Sequence, residues 1–105
     1  MGVKLQTENN IITAFVDGEI DHHSAAEIRN RIDSAVQKTK PRQLYLDFGS
    51  VGFMDSSGIG LIIGRYKLMT TIGGTLKICN ANPTIMRMIK LGGISRLNIL
   101  NETEV

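Results

Sequence analysis

Between Gln43 and Cys79 the hydrophobic period of the chain changes twice. Leu44, Leu46 and Phe48 recur at every second position, as one face of a strand does. Ile59, Ile62, Ile63, Tyr66 and Met69 then fall at helical spacing, and Thr75 to Cys79 reads as a second short strand. Gly49, Ser50 and Gly52 mark the turn after the first strand, and Gly73-Gly74 end the helix. A strand, helix, strand succession constrains the fold more than any other feature here. Antiparallel neighbours can be closed by a two-residue hairpin, whereas a helical crossover returns the chain parallel to the strand it left.

The flanking segments complete the pattern. Val3 and Leu5 alternate with polar residues, Ile11 to Val16 is rich in branched and aromatic residues, and Glu8-Asn9-Asn10 supplies turn chemistry between them, so the chain opens with a hairpin whose second strand is closed by Asp17-Gly18. Ser24-Ala25-Ala26-Glu27 has the form of a capping box with Ser24 as the cap, followed by Ala25, Ile28, Ile32, Ala35 and Val36 on one helical stripe up to Pro41. Beyond Cys79, Asn80 to Pro83 starts a shorter helix with Ile85, Met88 and Ile89 inward, stopped at Gly92-Gly93. Leu97 to Leu100 predicts a last short strand, after which Glu102 to Val105 begin a helix or fray. The order is β-β-α-β-α-β-α-β. That is an α/β fold with a mixed four- to five-stranded sheet flanked by helices, and 105 residues suit a single domain over 1–105.

Composition excludes several classes. With 42% hydrophobic and 21% charged residues the chain can build a core and lacks the signature of disorder. A formal charge of +2, with Lys and Arg dispersed and only three Phe and two Tyr, argues against direct DNA binding. Arg65, Lys67, Arg87, Lys90 and Arg96 are expected to gather at neighbouring helix ends as a basic patch suited to an acidic protein partner. Cys79, read as a buried strand residue, is the single cysteine and can form neither an internal disulfide nor a zinc site. The N-terminus has no apolar signal region, and the apolar run Ile59 to Gly64 is too short to span a bilayer, so a cytoplasmic location and no membrane role are expected. The GxxxG of Gly60 and Gly64 reads as close helix packing on the sheet.

The stretch FMDSSGIG, residues 53 to 60, carries the functional question. Asp55, Ser56 and Ser57 are helix N-cap residue types, and capping alone would account for one of them. Three acceptors stand in line, however, beside Gly58 and Gly60, which lack the side chains that would shield them. A phosphate on one of these hydroxyls would add about −1.5 to −2 charge. The helix dipole would partly accommodate it. Asp55 would repel it, as would Asp21 were the loop after the second strand on the same sheet edge. The fold would survive while a partner docked there lost its fit, which is how a modification switches an interface.

FMDSSGIG with LIIGRYK behind it, GEIDHHSA at residues 18 to 25, and IGG at 72 to 74 together resemble the anti-sigma factor antagonists, which carry the STAS domain, and within them the sporulation branch. The resemblance runs from about the second strand to the last. It implies that the unphosphorylated chain binds an anti-sigma factor that is also a serine kinase, with ATP or ADP on that partner, and so frees a sigma factor. It further implies that the kinase phosphorylates the serine directly after the aspartate, Ser56, and that a PP2C-type phosphatase reverses the modification. Spacing alone does not choose between Ser56 and Ser57. Asp21 and Ser24 match the polar loop beside the phosphorylation site, Asp55 is expected to orient the hydroxyl, and Gly58 to let the kinase's nucleotide site approach. Asp21, Ser24, Asp55, Ser57 and Gly58 are thus the expected partner-binding residues. Lys90-Leu91-Gly92-Gly93 departs from the family pattern, in which a hydroxyl residue often precedes the glycine.

Rival readings are weaker. Asp21, His22, His23 and Ser56 include the residue types of a hydrolase triad, but no GxSxG elbow surrounds Ser56, so no enzyme is expected. His22 and His23 lack a third metal ligand at suitable spacing, and no cofactor is expected. Asp47 near a strand end could be a receiver's phospho-acceptor, but no tight acidic pair accompanies it. The remaining alternative is a STAS module of another pathway, such as a general stress antagonist or a subunit of a signalling or transport complex.

Overall fold

A computed structural model describes residues 2–97 and 99–100. The elements are β1 (Val3–Glu8), β2 (Ile11–Ile20), α1 (His22–Thr39), β3 (Gln43–Met54), α2 (Ser56–Thr71), β4 (Thr75–Cys79), α3 (Pro83–Leu91) and a 3-10 turn (Ile94–Leu97). The sheet order is β1-β2-β3-β4, with β1 antiparallel to β2 and the other pairs parallel. The hairpin forms as its sequence requires: Glu8 pairs with Ile11, and Asn9 and Asn10 both take positive φ, 56° and 65°, in the two-residue turn.

Each crossover from β2 onward steps to the next strand in the same direction, so right-handed connections place the helices on one side of the sheet. Burial agrees. Ile12, Ala14, Val16, Leu44, Leu46, Phe48, Leu76 and Ile78 are buried beneath Ile28, Ile32 and Val36 of α1, Ile62 and Met69 of α2, and Ile85 and Ile89 of α3. The alternate residues on the opposite sheet face, including Ile11, Phe15, Tyr45 and Cys79, are half-buried or exposed. Cys79 is therefore a half-exposed residue of the open face, not the buried one its strand position suggested.

Three boundaries differ from the sequence reading. β2 and β3 run past Val16 and Phe48, through register shifts between Phe15 and Asp17 and between Gly18 and Glu19, to end side by side at Ile20 and Met54. Polar and glycine residues that read as turns are instead a bulged strand extension, because bulges absorb an irregular pattern without ending the pairing. The N-cap of α1 lies three residues before Ser24: it is Asp21, and Ser24 closes the box from N3. In place of a full strand from Leu97 to Leu100, Leu97 ends the 3-10 turn. A parallel bridge joins Ile78 to Leu100, with Ile78 N–H donating to the Ile99 carbonyl at 2.6 Å. The expectation for Glu102 to Val105 lies outside the described residues.

Candidate functional site

The extended β2 and β3 bring two helix starts together. Ile20 pairs with Met54, and Asp55 N–H donates to the Ile20 carbonyl at 3.1 Å, so Asp21 and Asp55 follow matched positions on adjacent parallel strands. Each carboxylate caps the helix it precedes. Asp21 accepts from the backbone N–H of His23 at 3.0 Å and of Ser24 at 2.9 Å. Ser24 Oγ accepts from Asp21 N–H at 2.9 Å and donates to the Glu19 carbonyl at 2.8 Å, tying the helix back to the strand end. The bond from Ser24 N–H, foremost, holds the Asp21 carboxyl below the usual carboxylate range; desolvation opposes it, and the Ser24 hydroxyl and the His23 N–H add to the lowering.

Asp55 accepts from Ser57 N–H at 2.8 Å, which makes it the cap of α2. Ser56 and Ser57 are therefore the first two residues inside the helix and not caps. Ser56 is exposed and Ser57 half-buried, and neither hydroxyl is held in a hydrogen bond among the described residues. Gly58 faces inward: a Cβ there would lie 2.5 Å from Met54 Sδ and 3.1 Å from its Cβ and Cγ, so the first turn of α2 sits on the end of β3 only because this residue is glycine. A Cβ at Gly60 or Gly64 would meet no atom of the described residues within 4 Å, so the GxxxG does not reflect the close packing on the sheet that its spacing suggested.

Between α1 and α2 lies an open groove of about 420 Å³, bordered by His22 and Arg29 on one side and by Ser57, Gly60, Gly64 and Arg65 on the other. Arg65, expected in a surface basic patch, is instead 6% exposed and paired with Asp33. The helical period contained the signal, since Arg65 falls on the inward stripe with Leu61, Ile62 and Met69, but residue type argued for the surface. Asp33 as its partner had no local signature, because the pair joins two helices. His22 and His23 are exposed, with ring centroids 5.6 Å apart and edge-on, and no hydrogen bond joins either to Ser56 among the described residues. Asp47 accepts from Gly49 N–H and Asn80 Nδ2, each at 2.9 Å, tying β3 to the loop after β4. Among the described residues no group of three or more His, Cys, Asp or Glu is placed to hold a metal ion, and no helix is long and apolar enough to cross a membrane.

This chain belongs to the STAS domain family, whose model matches residues 3–105. It is 31% identical over 103 residues to an anti-sigma F factor antagonist of Paenibacillus polymyxa, covering 98% of this chain and 88% of that one. It is 28% identical over 94 residues to an anti-sigma-B factor antagonist of Bacillus subtilis, covering 90% and 84%. The fold matches that of the anti-sigma factor antagonist SpoIIAA in its unphosphorylated form with a TM-score of 0.83 at 26% identity, over 93% of this chain and 84% of that one. Against the Bacillus cell fate determinant SpoIIAA in its phosphorylated form the TM-score is 0.75 at the same identity, over 93% and 87%.

Proposed function

We propose that this protein is an anti-sigma factor antagonist of the sporulation branch, acting in the cytoplasm by binding and not by catalysis. Its unphosphorylated form binds an anti-sigma factor that is also a serine kinase and thereby releases a sigma factor for transcription. Phosphorylation of Ser56 ends the interaction, and a PP2C-type phosphatase restores it. The observation that carries this reading is the placement of Ser56: an exposed, unengaged hydroxyl at the first position of α2, directly after the Asp55 cap and one strand away from Asp21. Similarity to antagonists over nearly the full chain, one of them known in two phosphoforms, supports it.

The physical logic is local. A phosphate at Ser56 gains from the helix N-terminus, so the fold tolerates it. It also places a dianion beside two capping carboxylates, and a partner matched to the neutral hydroxyl must then desolvate or repel that charge. Asp21, Ser24, Asp55 and Ser57 border the contact. Gly58 belongs to the same contact from beneath, since its missing side chain lets the first turn of α2 settle on Met54 and leaves the partner room to approach.

The similarity to an anti-sigma-B factor antagonist favours one second reading, the same switch serving a general stress pathway. Intact mass and site mapping after incubation with ATP and the anti-sigma F or anti-sigma-B factor of the same organism test both. One added phosphate on Ser56, absent from Ser56→Ala, is the expected result with the first kinase. Modification by the second alone moves the chain to the stress pathway, and modification by neither overturns the switch.

A further inference from the structure

The two edges of the sheet differ. On the β4 side Ile78 N–H donates to the Ile99 carbonyl and Leu100 bridges Ile78, so that edge is partly covered. On the β1 side no further strand is added among the described residues. β1 is 6 residues long, pairs with β2 without a register shift and contains no Pro, so it lacks the backbone devices that usually blunt an edge. Its backbone directions follow from the bond in which Asp17 N–H donates to the Gly2 carbonyl at 2.9 Å. Bonding alternates along an antiparallel ladder, so Lys4, Gln6 and Glu8 bond to β2 while Val3, Leu5 and Thr7 turn their N–H and C=O groups outward. Arg31 Nη1 donates to the Val3 carbonyl at 2.6 Å. The outward groups of Leu5 and Thr7 have no partner among the described residues. The side chains of Lys4, Gln6 and Glu8 are exposed, and neither charge is ion-paired among the described residues.

A second copy of the chain, laid antiparallel along this edge, satisfies both free positions in one register. With Gln6 on the two-fold axis, Leu5 of each copy exchanges N–H···O bonds with Thr7 of the other. Lys4 then faces Glu8 at non-hydrogen-bonded positions, where side chains of adjacent strands lie nearest. An axis at Leu5 would call on the Val3 carbonyl, which Arg31 holds, and an axis at Thr7 would call on Asn9, whose φ of 56° is turn backbone. We propose that the β1 edge is a self-association surface, at which two copies pair through Leu5 and Thr7 with Lys4 opposite Glu8 and continue one sheet through a closed two-fold dimer. This goes beyond the antagonist reading and does not depend on it, because Ser56 opens the helix that follows β3, away from this edge.

Sedimentation equilibrium of the purified chain between about 10 µM and 1 mM, the range in which a small interface assembles, tests this. The expected result is a reversible equilibrium between monomer and dimer. Lys4→Glu sets carboxylates opposite one another across the seam and Glu8→Lys sets ammonium groups there, so each variant alone should dimerise about ten-fold or more less tightly. Mixed in equal amounts, the two variants should recover the pairing, since every acid of one then faces a base of the other. Both positions are exposed, and urea midpoints check that each variant folds. A wild-type chain that stays monomeric throughout overturns the proposal, as does a dimer that both variants leave unchanged. An open groove of about 520 Å³ beside this edge, bordered by Arg31 and Lys38, defines the rival occupant, an acidic extended peptide. Binding of a blocked Glu-Val-Glu-Val-Glu peptide by a monomeric chain, lost in Lys38→Ala, would give the edge to such a peptide and overturn self-pairing.

Discussion

Arg65 Nε stands 2.8 Å from Asp33 Oδ1 and ties α2 to α1 beside the groove. The Nε–H is not aligned on that oxygen, so the contact is ionic, and Nη2 supplies the hydrogen bond to Oδ2 at 3.3 Å. Burial pushes the guanidinium pKa down, with Asp33 opposing and Arg29 reinforcing that shift. Asp33→Ala leaves a cation in a nearly closed site. A fully buried pair broken this way costs about 3–5 kcal/mol, and since the Asp33 side chain is 28% exposed we expect about 2 kcal/mol. Urea unfolding should show a lower midpoint with an unchanged slope, and Asp33→Leu combined with Arg65→Met should recover most of the loss.

Gly58 and Gly60 should respond oppositely to alanine. At Gly58 the new methyl meets the buried Met54 side chain, and overpacking of about 1–3 kcal/mol outweighs a helix-propensity gain of about 1 kcal/mol, for a net loss of about 1 kcal/mol. At Gly60 nothing lies within 4 Å, so only the gain of about 1 kcal/mol remains. Equal melting shifts for the two variants would contradict the placement of α2 on β3.

Asp21 gives stability an acid limb. Its carboxyl has a lower pKa folded than unfolded, so its contribution is complete above the unfolded value and fades as pH falls through the folded one. Asp21→Asn keeps an acceptor but does not titrate. Its melting temperature should therefore lie below wild type near neutrality and converge with it in strong acid, in a thermal-melt series between about pH 6 and 2.

Ser56→Asp separates fold from binding. A carboxylate in the first turn of a helix is favoured by up to about 1 kcal/mol, offset by Asp55 and Asp21, so thermal stability should barely change. Affinity for the unmodified chain's anti-sigma partner should fall about ten-fold or more. A variant that folds and binds like wild type would argue that charge at this position is not the switch.

The crossover from β3 through α2 to β4 was legible because period-2 and period-3.6 patterns are local and separated by turn or cap residues, although Gly49-Ser50, read as the turn, belongs to β3, which runs on to Met54. So were the hairpin and the inward stripe of α1, whose Ile28, Ile32 and Val36 are all buried. Asp21 as a cap was legible in principle, in the spacing of Asp21 and Ser24, but Ser24 and Glu27 offered a competing box of the same form.

By itself the sequence determined the order of the hairpin and the helical crossovers, that β3 and β4 run parallel, and that Asp55, Ser56 and Ser57 open a helix, since each follows from short-range pattern and backbone chemistry. Tertiary structure alone decided that Ile20 and Met54 end in register and so bring Asp21 beside Asp55, and that Arg65 turns inward to Asp33. It also decided that Gly58 lies buried against Met54 while the Ser56 hydroxyl has no hydrogen-bond partner among the described residues. Those outcomes depend on pairing between segments far apart in the chain, where burial and strand register, not local propensity, set the energy.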